Sequence, residues 1–127
     1  VHVCEEIDAF SKLKFESQFH SISSGGCISY IEVPDMNKNV EAVEEIINFI
    51  YHNIQYAEIN TKSDVCFKCG FNGEMQLDKE SLTWHCPSCG NDDESELQVM
   101  RRTCGYIGSS YWNKGRTAEI GDRVLHL

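Results

Sequence analysis

The chain has 127 residues, enough for one ordinary domain or one modest domain plus a small metal-held module, and too few for a 250-residue barrel. Hydrophobic residues make up 41% and charged residues 24%, a globular rather than disordered balance. Twenty acidic against eleven basic residues give a net charge of -9, which argues against a general nucleic-acid binder, because such binders neutralise phosphate.

Val1-His2-Val3-Cys4-Glu5-Glu6 has neither the basic start nor the apolar stretch of a signal peptide, and no apolar run approaches the length of a bilayer span. A cytoplasmic protein is expected. A start at Val1 rather than methionine suggests a piece of a longer polypeptide. Seven cysteines are many for this length, and the odd number does not suit a closed disulfide framework. Four of them form two C-x-x-C pairs. The expectation is a reducing compartment, four metal-ligand thiolates and three free thiols.

In chain order, Val3, Ile7, Phe10 and Leu13 fall at helical spacing and predict an amphipathic helix over 3–15. Ser21 to Gly26 is a turn cluster. Cys27 to Val33 is a β-prone run stopped by Pro34, and predicts a strand. Asn39 is a candidate N-cap. Val40, Val43, Ile46, Ile47, Ile50 and Ile54 mark one face of the helix that follows. Gln55 to Asn60 predicts a second strand. Asn91 to Glu96 reads as an acidic loop. Val99 to Ser110 has two glycines and no helical period, and Gly115 to Leu127 looks helical, with Ile120, Val124 and Leu127 together. Cys4 and Cys27 are expected to be small buried hydrophobes. Trp84 and Trp112 are expected to be packing residues.

The strongest chemical signal is Cys66-Phe67-Lys68-Cys69-Gly70 paired with Cys86-Pro87-Ser88-Cys89-Gly90. Zinc takes four ligands in a tetrahedron, and each C-x-x-C turn offers two thiolates from one tight knuckle. The glycine after each pair permits the left-handed backbone that closes the knuckle. Residues 74–77 and 81–84 are placed to form the hairpin of a zinc ribbon. Four cysteine ligands leave no open coordination position, so a structural rather than catalytic metal is expected. His85, beside Cys86, is expected to face solvent rather than join the ligands.

Downstream lies Arg101-Arg102-Thr103-Cys104-Gly105-Tyr106-Ile107-Gly108, with Gly105 sixteen positions after Cys89. By itself this is a turn glycine beside a solvated or locally paired arginine face. Placed after the ribbon, it closely resembles the carboxy-terminal end of the anaerobic (class III) ribonucleotide reductases, which are glycyl-radical enzymes. Trp112-Asn113-Lys114-Gly115-Arg116, Glu119-Ile120 and Arg123-Val124-Leu125-His126 are similar to that family's terminal segment. Gly25 to Glu32 and Tyr56 to Asn60 are similar to its last core strands. The resemblance therefore covers almost the whole chain.

The resemblance implies that Gly105 carries a stored radical, generated by an iron–sulfur activating enzyme that uses S-adenosylmethionine. It also implies a remaining upstream reductase part, a homodimer in the full enzyme, and ribonucleoside triphosphates bound elsewhere. The family's thiyl cysteine lies upstream, so Cys104 is expected to be a packed thiol, and Tyr106 an aromatic anchor for the loop. The expected architecture is α+β. It comprises a mixed helix/strand segment over 1–62 that completes a barrel, a Cys4 zinc ribbon over 63–92, and a glycine loop with a short C-terminal helix over 93–127. No nucleic-acid or membrane partner is expected, and this chain alone is expected to be inactive. Alternatives are a detached replacement subunit for a damaged glycyl-radical enzyme, or a zinc-ribbon binding module without redox activity. Unpaired strands of a missing barrel would leave apolar edges, which predicts aggregation of the isolated chain.

Overall fold

A computed structural model of the chain describes residues 1–103, 106–109 and 112–127. They form two compact units, one made of 1–61 with 123–127, the other of 62–122.

The first unit begins with helix α1, Ala9–His20. It starts six residues later than the apolar spacing predicts, because Asp8 is the cap: its carboxylate accepts the Ser11 N–H at 2.9 Å. The expected apolar face is also displaced. Phe10 is exposed, whereas Ala9, Lys12, Leu13 and His20 are buried. Lys12 was invisible to a hydrophobic pattern. Its stem packs inward while its ammonium donates to the Tyr30 carbonyl at 2.5 Å.

Strand β1, Ser29–Val33, helix α2, Val40–Asn53, and strand β2, Ala57–Thr61, form a β-α-β crossover in which the two strands are parallel, with Ile31 opposite Ile59. Asn39 caps α2 as predicted, accepting the Ala42 N–H at 3.3 Å. The predicted apolar stripe is only half used. Ile46 and Ile54 are buried and Ile50 is partly buried, while Val40 and Ile47 at the margin of the stripe stay exposed. The core joins Ala9, Leu13, Ile31, Val33, Ile46 and Ile54. Cys4 and Cys27 are half-buried rather than buried.

The second unit consists of short elements. They are β3 (Asp64–Cys66), β4 (Asn72–Gly73), β5 (Gln76–Asp78), β6 (Thr83–His85), a 3-10 turn at Glu94–Glu96, β7 (Leu97–Gln98), β8 (Met100–Thr103), β9 (Tyr106–Ser109) and helix α3 (Lys114–Asp122). β3 pairs antiparallel with β4 on one side and β7 on the other. β5 and β6 form the ribbon hairpin, each starting two residues and ending one residue later than expected, with Leu77 opposite Trp84. The stretch 99–110, read as aperiodic, contains a strand pair: β8 and β9 are antiparallel, and Arg102 lies opposite Ile107. The core joins Cys66, Met75, Trp84, Cys86, Leu97, Val99 and Ile120, with Trp112 packed against it.

The predicted C-terminal helix stops at Asp122, so Val124 and Leu127 are not helical. Backbone hydrogen bonds within the first unit hold the tail extended instead. The Val124 N–H donates to the Val3 carbonyl at 3.3 Å, and the His126 N–H donates to the Glu32 carbonyl at 2.8 Å. The Glu32 N–H in turn donates to His126 Nδ1 at 2.8 Å. None of the helices of the described residues is long and apolar enough to cross a membrane.

Candidate metal centre and the strand pair beside it

The two C-x-x-C turns are built alike. After the first, Gly70 adopts φ 75°, and its N–H donates to the Cys66 carbonyl at 2.8 Å. After the second, Gly90 adopts φ 70°, and its N–H donates to the Cys86 carbonyl at 2.9 Å. A side chain at either position would strain this left-handed backbone. Each knuckle is closed by a further bond. The Cys66 N–H donates to Phe71, and the Cys86 N–H to Asn91.

These turns bring the Sγ atoms of Cys66, Cys69, Cys86 and Cys89 within 4.8 Å of one another. Cys66 and Cys89 are 3.8 Å apart, and Cys69 and Cys86 are 3.6 Å apart. Sulfurs bound about 2.3 Å from a tetrahedral zinc stand about 3.8 Å from each other, so the donor set fits. Cys66 and Cys86 are buried in the core, while Cys69 and Cys89 are exposed.

The four thiols affect each other strongly. Desolvation opposes ionisation of Cys66, but N–H groups of Cys69 and Lys68 and the adjacent thiols lower it to about 7. At Cys89 the Asn91 N–H favours the thiolate, yet desolvation and the other three sulfurs outweigh it and push the thiol up to about 12. A cation among the four sulfurs would favour their thiolate forms together. His85 is not among the clustered ligands. Its Nε2 lies 3.1 Å from Gln76 Oε1, across the β5–β6 pair.

Beside the thiol cluster, Arg101 departs from the solvated or locally paired face expected for it, since its partner is distant in sequence. It is 4% exposed. Its Nη1 donates to Asp64 Oδ1 at 2.5 Å and its Nη2 donates to Asp64 Oδ2 at 2.9 Å, a bidentate pair. Asp64 is fully buried, and it also accepts the N–H groups of Met75 and Met100 at 2.9 and 3.2 Å. The Arg101 guanidinium carbon lies 5.3 Å from the centre of the Trp84 ring. The sequence reading missed Asp64. An acid next to an apolar strand carries no signal of a partner 37 positions away.

Cys104 and Gly105, between the paired Thr103 and Tyr106, lie outside the described residues. Tyr106 is 61% exposed in the described strand, and the loop it was expected to anchor lies outside the described residues. Arg102 is half-buried, and Trp84 is buried in the core as expected.

Comparison with known proteins bears on the whole of this arrangement. The chain is 36% identical over 126 residues to the anaerobic ribonucleoside-triphosphate reductase of Escherichia coli (strain K12), covering 97% of this chain and 17% of that protein. It is 36% identical over 129 residues to the enzyme of the same name from Enterobacteria phage T4, covering 99% of this chain and 21% of that protein. It thus spans about a fifth or less of the length of these relatives. Among solved structures, an anaerobic ribonucleotide reductase matches with a TM-score of 0.59 at 24% identity, over 98% of this chain and 19% of that one, a likeness of fold. The family model described as anaerobic ribonucleoside-triphosphate reductase matches residues 1–126, and the chain belongs to that family.

Proposed function

We propose that this chain is the carboxy-terminal portion of an anaerobic ribonucleoside-triphosphate reductase and carries its glycyl radical on Gly105. In that role it serves the reduction of ribonucleotides to deoxyribonucleotides for DNA synthesis in the cytoplasm. The observation that carries the reading is the four-thiolate cluster followed by Arg-Arg-Thr-Cys-Gly-Tyr in a chain of this family. Cys66, Cys69, Cys86 and Cys89 would hold a structural zinc. With four thiolates it has no open position for substrate and stabilises the fold.

The chain's own contribution is the glycine. A hydrogen atom leaves the Gly105 Cα to an activating enzyme that uses S-adenosylmethionine and an iron–sulfur cluster, and one unpaired electron remains on that carbon. The adjacent amide nitrogen donates electron density and the adjacent carbonyl withdraws it, so the planar centre is stabilised. Glycine suits this because no side chain opposes planarity, and because the loop can take unusual backbone angles. The stored radical would be passed to a cysteine of the upstream reductase part, which also binds the ribonucleoside triphosphates. On this reading the chain alone reduces no nucleotide, and the full enzyme acts as a homodimer.

Anaerobic electron paramagnetic resonance tests it. The full polypeptide is mixed with its activating enzyme, S-adenosylmethionine and a reductant, beside Gly105→Ala. The expected result is a doublet from the single remaining α-hydrogen, absent in the variant. A signal that survives Gly105→Ala, or none from the zinc-loaded full-length protein, would overturn the assignment.

A further inference from the structure

The two halves of the ribbon each put one residue against Arg101. Asp64 lies two residues before Cys66 on β3, and Trp84 lies two residues before Cys86 on the run that starts as β6. Residues two apart on a strand share a face. Hence Asp64 and Cys66 point into the same core, as do Trp84 and Cys86, and all four are buried. Asp64 grips the guanidinium edge-on through both carboxylate oxygens, and Trp84 offers its ring face. Asp64 also takes the Met100 N–H, which fixes the backbone of β8 just ahead of Arg101. β8 pairs with β9, and these two strands flank Gly105 in sequence.

A metal bound by Cys66 and Cys86 would tie the ends of the two segments that carry Asp64 and Trp84. Among the described residues neither segment is otherwise held to the other by strand pairing, since β3 pairs with β4 and β7 while β6 pairs with β5. We propose that Arg101 is the positioning residue through which the four-thiolate metal site fixes the β8–β9 strand pair. The inference rests on the reading of Gly105 only for its consequence, which is that the metal sets the place of the two strands that flank the radical residue in sequence. Arg101 is suited to this because its planar fork matches a carboxylate with two parallel bonds while its face stacks on an aromatic ring. A lysine offers a point charge and neither feature.

The test is hydrogen exchange of the zinc-loaded, full-length polypeptide, followed in peptides covering 97–103 and 106–109. Zinc content is measured alongside. Chelation of the metal in the wild type is expected to raise exchange in both strands by about tenfold or more. Arg101→Gln with zinc still bound is expected to raise it as much, and chelation of that variant to add little, because both changes cut the same link. Trp84→Phe, which keeps a ring face, is expected to retain most of the protection. Protection of β8 and β9 that survives chelation would overturn the inference. So would wild-type exchange in Arg101→Gln, or two effects that multiply independently. If Arg101→Gln loses its zinc, Arg101→Lys takes its place, and zinc loss in both would make Arg101 a packing residue of the ribbon and overturn the positioning role. The radical measurement stands apart. A missing doublet in the wild type removes Gly105 as the radical site and leaves the exchange result intact, whereas a changed exchange pattern is required here whatever the doublet shows.

Discussion

The two units are built on different principles. The first has a 12-residue helix and a 14-residue helix on a parallel strand pair, and a core of aliphatic side chains. The second has strands of two to four residues and a core in which two of the seven fully packed members are cysteines of the four-thiol cluster. Elements that short are not stable as isolated hairpins. The first unit is held by side-chain burial, whereas the second has a small core into which a metal on its four cysteines would add a cross-link. Each unit also pairs its own buried charge. In the first unit Glu32 takes Asn60 at 2.7 Å and Arg123 at 3.3 Å, and in the second Asp64 takes Arg101.

The largest expected effect separates the units outright. Chelation under reducing conditions is expected to raise amide exchange across the ribbon strands and the β8–β9 pair, by about tenfold or more, while the helices of the first unit keep their protection. Structural zinc in comparable small motifs is linked to about 10–16 kcal/mol of apparent free energy, ample to fold this one. Hydrogen exchange resolved by segment reads the outcome, and simultaneous loss in both units would break the distinction.

The reciprocal experiment is Leu13→Ala. Leu13 is fully buried in the first core, and its truncation is expected to cost that unit about 3 kcal/mol, within the usual range for a buried leucine. Urea unfolding followed by far-UV circular dichroism measures the loss, and zinc content is expected to stay at the wild-type value. Zinc loss in Leu13→Ala would show that the two units do not stand independently.

A smaller, pH-dependent effect sharpens the picture of the first unit. Burial, and then the nearby Lys12 charge, lower the His126 pKa below its ordinary value, against a weaker pull from Glu16. The neutral ring also accepts the Glu32 N–H at Nδ1, a bond that protonation removes. With a folded pKa below the unfolded one, the unfolded chain binds more protons at mildly acidic pH. Stability of the first unit is therefore expected to fall as pH drops from about 6.5, the ordinary value for histidine, toward the lower folded value. Comparing urea midpoints at neutral and mildly acidic pH, wild type against His126→Asn, isolates this contribution from the carboxylates. An unchanged pH slope in the variant would rule it out.

Much of the site was legible in the sequence because its rules are local. C-x-x-C-G specifies a knuckle within five residues, and two of them specify a tetrahedron wherever the intervening chain can close. Asn39 as a helix cap is equally local. The start of α1 was misplaced because Asp8, a cap in plain view, was outweighed by an apolar spacing that continued upstream of it. Arg101 was misread for a different reason: a charged residue is solvated by default, and only a buried acid 37 positions away makes burial tolerable.

What the sequence determined by itself was therefore the family, the four cysteines that cluster, the β-α-β order and the position of Gly105 in its motif. These depend on residue types at short fixed spacings, where backbone geometry leaves few choices. The tertiary structure alone decided that Lys12 faces inward to the Tyr30 carbonyl, that the helix at 114 stops at Asp122, and that His126 pairs with Glu32. It alone also closed Asp64, Trp84 and Arg101 into one buried cluster. In each case a polar group left water for a partner distant in sequence. Its free energy depends on that partner's place in space, which no local pattern encodes.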